Sequence, residues 1–107
     1  MSEREIAVVT GASRGFGRGV ALALGDAGMR VYVTGRTRGE GLSIDTVAAE
    51  IDRRGGEGVP VPVDHTDDAQ VEALFARVKE EAGRLDVLVN NVFAIPKERM
   101  WGLPFWE

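Results

Sequence analysis

The chain has 107 residues, 44% of them hydrophobic and 28% charged, which is enough for one small globular domain and not for two. With no cysteine and one histidine, it excludes disulfides, thiolate catalysis and cysteine-based zinc sites, and His65 cannot make a metal site alone. No apolar run approaches the roughly 20 residues of a membrane span. Acids before the first apolar run are wrong for a signal peptide, so the expectation is a cytoplasmic protein without a membrane partner.

The net charge of −4 hides an asymmetry. Residues 1–38 hold six arginines against Glu3, Glu5 and Asp26, and the acids dominate the rest. Nucleic acid demands a broad basic face; here the positive charge is local and suits a small anion. Chance scatter of surface arginines explains the same numbers equally well.

Taken in order, the segments alternate. Ile6 to Thr10 is a short apolar run of the kind found in a parallel sheet covered on both faces. Phe16, Val20, Ala23, Leu24 and Ala27 then recur at helical spacing, and Gly28 marks a stop. Val31 to Thr34 is the second strand. A glycine-containing loop leads to a second helix with the stripe Ile44, Val47, Ala48 and Ile51, ended by Gly55 and Gly56. Val59 to Val63 is a third strand, placed at a sheet edge by Pro60 and Pro62, neither of which can donate to a ladder. Thr66 is the expected N-cap of a third helix with Val71, Leu74, Phe75 and Val78 inward and Gly83 as its stop. Leu85 to Val89 is a fourth strand. This β-α-β-α-β-α-β order predicts an α/β, Rossmann-type doubly wound parallel sheet in strand order 3-2-1-4, cut short after four strands.

The first strand-to-helix turn reads Thr10-Gly11-Ala12-Ser13-Arg14-Gly15-Phe16-Gly17. There the chain must turn tightly, leave backbone N–H groups free and let a pyrophosphate approach the positive end of a helix. A glycine triplet alone also serves as a plain tight turn; its position inside a βαβ unit is what points to a nucleotide.

Thr10, Gly11, Gly15 and Gly17 match the Thr-Gly-x-x-x-Gly-x-Gly spacing of the short-chain dehydrogenase/reductase family, which the chain resembles from Ile6 to about Asn91. Asp64 follows the third strand, where the family places an acid beside the adenine, with His65 next to it. Asn90-Asn91 ends the fourth strand where the family has Asn-Asn-Ala-Gly; here Val92-Phe93 depart from it. Phe93, Ala94 and the later Phe105-Trp106-Glu107 look like one subgroup. Ordinary turn chemistry would account for Asp64 as a loop cap and for the asparagines as ties to the sheet end.

An NAD site places an acid about 20 residues past the glycine loop. This chain has Gly35-Arg36-Thr37 there, and Arg14 inside the loop. Two guanidiniums near a 2′-phosphate imply NADP(H) over NAD(H), with Ser13 and Thr37 as neutral donors. Two solvated surface arginines are the alternative. The cofactor-binding set is therefore Gly11, Ser13, Arg14, Gly15, Phe16, Gly17, Arg36, Thr37, Asp64, His65 and Asn91, with no metal ligand.

The resemblance places proton transfer on a Tyr-x-x-x-Lys pair. The one tyrosine, Tyr32, has Arg36 four positions on, and no such pair exists in the sequence. A six-stranded sheet needs on the order of 180 residues at ~30 per βα unit. Residues 1–107 therefore read as a single partial dinucleotide-binding domain, with 93–107 starting the substrate side. No catalytic residue is assigned, and the chain alone is expected to be inactive. The implied activity is hydride transfer to or from a small carbonyl or alcohol in a complete, homo-oligomeric enzyme. A non-catalytic dinucleotide-binding module, and a fragment that neither folds nor binds alone, are the competing readings.

Overall fold

The apolar run after the N-terminal acids forms β1 (Ile6–Val9), buried along its whole length. The computed structural model describes residues 4–12, 15–36, 41 and 43–90. The chain then builds α1 (Gly15–Asp26), β2 (Arg30–Gly35), α2 (Ile44–Arg53), β3 (Glu57–Pro62), α3 (Asp68–Ala82) and β4 (Val87–Val89). The four strands are parallel in the order β3-β2-β1-β4, as the alternation predicts. β3 stands at the edge, so its prolines interrupt no ladder.

Alternation along β1 sorts the core into two layers. Ala7 and Val9, with Val31 and Val33 of β2, pack under α1 and α2 through Ala21, Leu22, Ile44, Val47 and Ile51. Ile6 and Val8, with Tyr32, pack against Val71, Leu74 and Val78 of α3 on the other face. Helices on both faces of a parallel sheet make it doubly wound.

The α2 and α3 stripes lie inward as read, with Phe75 at the margin of its cluster. Gly83 ends α3 in the left-handed conformation, at φ 72°. The α1 stripe is a correction. Phe16 is 72% exposed, Ala23 and Ala27 are exposed, and the buried positions are Gly17, Ala21, Leu22 and Gly25. The reason is size: α1 lies so close to α2 that a Cβ on Gly25 would stand 2.9 Å from Ile51 Cγ2. Only small residues admit that approach, and they set which face of the helix turns inward.

The α3 cap is a second correction. Asp67, not Thr66, is the N-cap, its carboxylate accepting from the N–H groups of Ala69 and Gln70. The Thr66 hydroxyl donates instead to Asp64 Oδ1 at 2.6 Å. A carboxylate one residue closer to the positive helix end takes the capping role.

Candidate functional site at the carboxyl ends of the strands

In an open parallel sheet the crevice beyond the carboxyl ends of the strands is where ligands bind. Here the crevice is lined by the segments leaving β1, β2, β3 and β4. Thr10 leaves β1 almost fully buried, its N–H donating to Val89 O at 3.0 Å and its hydroxyl to Asn90 Oδ1 at 3.2 Å. The Ala12 N–H donates to Thr34 O at 3.0 Å. The turn is thus tied to β4 on one side and β2 on the other, which fixes its path.

Gly11 and Gly15 stand at φ 62° and 64°, a conformation that favours glycine. A Cβ on Gly15 would meet no atom within 4 Å, so the turn opens outward there. No acid occupies the first turn of α1, and its positive end is unneutralised from within the helix. An open helix start with unneutralised positive potential, reached through a left-handed glycine, fits an anion such as a pyrophosphate. Phe16 stands exposed beside it, and Gly17 is buried.

Arg36 follows β2 and is 73% exposed along its side chain; its Nη1 lies 3.6 Å from Asp64 Oδ2. Asp64 also accepts from Thr66, through the hydroxyl and through the N–H at 3.0 Å. The Thr66 hydrogen bonds first, and then the Arg36 charge, hold its carboxyl below the usual aspartate range. The sequence assigns these residues separate tasks, one on a phosphate and one on the adenine. Their mutual ion pair is what that reading misses.

His65 is 6% exposed. Its Nε2 lies 2.8 Å from the Thr34 hydroxyl, and its Nδ1 is buried with no hydrogen-bond partner. Burial pushes its pKa down, opposed by the Asp64 charge. The Thr34–His65 contact is another pairing the sequence does not announce, whereas the Thr10–Asn90 bond is the tie to the sheet end that turn chemistry offers for an asparagine there.

Tyr32 stands apart from this crevice. Its side chain is fully buried on the α3 face, and its hydroxyl donates to Glu81 Oε1 at 2.8 Å. Burial, and then the Glu81 carboxylate, raise its pKa. A buried phenol bound to a carboxylate serves the packing of β2 on α3.

Of the sequence-assigned residues, Gly11, Gly15, Phe16, Gly17, Arg36, Asp64 and His65 are described and gather at the carboxyl ends of the strands. Ser13, Arg14, Thr37 and Asn91 lie outside the described residues, as does the 93–107 segment. Among the described residues no helix is long and apolar enough to cross a membrane.

Comparison with known proteins gives the same picture. The family model for short chain dehydrogenases matches residues 5–100. The human dehydrogenase/reductase SDR family member 1 is 50% identical over 94 residues, covering 84% of this chain and 28% of that protein. The 3-oxoacyl-[acyl-carrier-protein] reductase of Synechocystis is 40% identical over 87 residues, covering 81% of this chain and 34% of that protein. The chain thus spans about a third or less of the length of these relatives. Among solved structures, YwfH, an NADPH-dependent reductase involved in bacilysin biosynthesis, superposes with a TM-score of 0.74 at 28% identity. That match covers 84% of this chain and 35% of the other. An NADH-dependent reductase complexed with NAD shares the fold, with a TM-score of 0.69 at 23% identity, over 82% of this chain and 36% of the other.

Proposed function

The chain belongs to the short-chain dehydrogenase/reductase family, and on that premise we propose that it forms the cofactor-binding part of an NADP(H)-dependent oxidoreductase. The observation that carries the cofactor choice is Arg36, a cation at the end of β2 where an NAD site would hold an acid. When bound, the cofactor supplies or takes a hydride at its nicotinamide. The chain's own residues do the holding. Gly11, Gly15 and Gly17 let the pyrophosphate approach the start of α1, and Ser13 adds a neutral donor to the 2′-phosphate. Phe16 covers its exposed side. Arg36, Arg14 and Thr37 take the 2′-phosphate. Asp64 and His65 bound the adenine, and Asn91 closes the end of β4.

The groups that move the substrate's proton are not in this set. Tyr32 is committed to Glu81, and the sequence holds no Tyr-x-x-x-Lys. In this reading they belong to the longer part of the enzyme that the relatives share, which would act as a cytoplasmic oligomer on a small carbonyl or alcohol. The alternative reading is a dinucleotide-binding module without chemistry of its own.

The experiment is calorimetry with NADPH and NADH. The chain should bind NADPH at least tenfold more tightly. Arg36→Asp replaces an attraction by a repulsion beside Asp64, so it should weaken NADPH by a few kcal/mol, about a hundredfold or more, and leave NADH little changed. Equal dissociation constants for the two cofactors in the unaltered chain would refute the NADP assignment. Appending the remainder of a homologous enzyme then separates the two readings, since only a catalytic partner restores turnover.

A further inference from the structure

Arg36 is already partnered: its charge is shared with Asp64 at 3.6 Å. A dianionic phosphate monoester placed there would meet a guanidinium that already faces a carboxylate. Such a site calls for another cation, and helix geometry supplies one.

Every other described arginine lies against a carboxylate, from Arg4 beside Glu57 to Arg84 on Asp86. Arg18 is the exception: its Nε is buried with no hydrogen-bond partner. A buried guanidinium N–H without an acceptor is unfavourable in an isolated chain and is satisfied when an anion arrives.

Its place in the fold follows from the packing. Residues 18, 22 and 25 fall on one stripe of α1. Leu22 packs in the layer that holds α2, and Gly25 approaches Ile51 of α2 directly. Arg18 therefore lies on the α2 side of α1. It stands seven residues nearer the start of the helix than Gly25, roughly 10 Å at the helical rise. α1 and α2 both return from the carboxyl ends of parallel strands and so run in the same direction. Seven residues before Ile51 is Ile44, the first residue of α2. Ile44 lies against the end of β2, since a Cβ on Gly35 would stand 3.0 Å from its Cγ2. The next residue after Gly35 is Arg36. Arg18 and Arg36 thus approach the same end of the sheet from two elements, to one side of the glycine turn.

We propose that Arg18 is a specificity-determining residue that joins Arg36 in holding the 2′-phosphate of NADP(H). The proposal rests on the dinucleotide reading above and adds a residue to it. A pyrophosphate sits over the start of α1, where Gly15 opens, and is common to both cofactors. A group beside α1, on the α2 side and above the end of β2, meets only the extra phosphate.

The test titrates the chain with NADPH, NADH, 2′-AMP and 5′-AMP by calorimetry. Arg18→Met keeps the apolar stem and removes the charge and donors; Arg18→Lys keeps the charge. Circular dichroism and the thermal midpoint verify the fold. The Met variant should lose about tenfold in affinity for NADPH and 2′-AMP, the loss of one charge-assisted hydrogen bond. NADH and 5′-AMP should stay within twofold, and the Lys variant should recover part of the loss. An equal loss for both cofactors would place Arg18 on the shared part of the ligand or in the fold and overturn the inference. No loss for either would overturn it as well. A failure of the parent reading looks different: the unaltered chain would then fail to prefer NADPH, and both assignments would fall together.

Discussion

The Thr34 hydroxyl and His65 Nε2 meet at 2.8 Å across the ends of β2 and β3, with both side chains buried. The contact ties Arg36, two residues after Thr34, to the strand end that carries Asp64. The burial of His65, the chain's one histidine, also makes the fold sensitive to pH. Burial depresses the folded-state pKa of His65. The unfolded chain therefore takes up its proton first as pH falls. The associated stability is fully present above the unfolded value of about 6.5 and declines until pH has passed the folded pKa. Inside that window each pH unit costs up to about 1.4 kcal/mol. Thermal midpoints should fall between pH 8 and 5.5. His65→Gln keeps a polar tip for Thr34 and cannot titrate, so its midpoint should be nearly flat over that range. A parallel decline in the Gln variant would assign the effect to other groups.

What the sequence made legible was periodicity and spacing. The inward faces of α2 and α3 follow from large apolar residues three and four apart, and the edge position of β3 from its two prolines. The face of α1 did not follow. Phe16, Val20, Ala23, Leu24 and Ala27 form as good a stripe as the true one by apolarity, yet of these Leu24 is the one packed against the core. The choice is made by closeness at Gly25 and Ile51, which is a matter of size and of a helix not yet in view. The glycine turn was legible because its residues are contiguous. The Arg36–Asp64 and Thr34–His65 pairs were not, because they depend on the register of two parallel strands. Parallel strands are joined by a helix, and no tight turn sets their register.

Tyr32 is expected to behave as a structural residue. Tyr32→Phe removes the 2.8 Å bond to Glu81 and leaves the ring in place. Glu81 is exposed and keeps Arg77 at 2.9 Å, so no buried charge is orphaned. The loss should be about 1 kcal/mol, a few degrees in the thermal midpoint. NADPH affinity should not change. A large loss of affinity in a folded Phe variant would give this tyrosine a role at the cofactor.

Two alanine substitutions test the packing and should have opposite signs. A Cβ on Gly58 would fall 2.4 Å from Ala48 O and 2.6 Å from Ala48 Cα, both backbone. Gly58→Ala must push β3 away from α2 and should cost about 1–3 kcal/mol or more. Gly19 lies inside α1, exposed, and its Cβ would meet nothing within 4 Å. Gly19→Ala should therefore stabilise by about 0.5–1 kcal/mol through helix propensity alone. Denaturant midpoints measure both. A neutral Gly58→Ala would mean that the β3–α2 approach is looser than described.

The glycine turn is tested most cleanly at Gly15, with Gly83 as its control. Gly17 is the less informative target, because it is buried on α1 and a larger side chain there would disturb the fold as well as any ligand. Gly15 and Gly83 both have positive φ, 64° and 72°, and a Cβ on either would meet no atom within 4 Å. Alanine at each should thus suffer the same left-handed strain, about 1–2 kcal/mol, and nothing more from the protein itself. The two differ in where the methyl points. At Gly83 it stands at the far end of α3, after Ala82. At Gly15 it enters the open side of the turn, where a pyrophosphate would approach the α1 N–H groups. Both variants should therefore unfold a few degrees earlier than the parent chain. Only Gly15→Ala should lose NADPH and NADH together, by tenfold or more, since the pyrophosphate is common to both. Calorimetry on the two variants and the parent chain decides it. Undiminished affinity in a folded Gly15→Ala variant would reduce Gly11 to Gly17 to a turn that happens to lie between a strand and a helix.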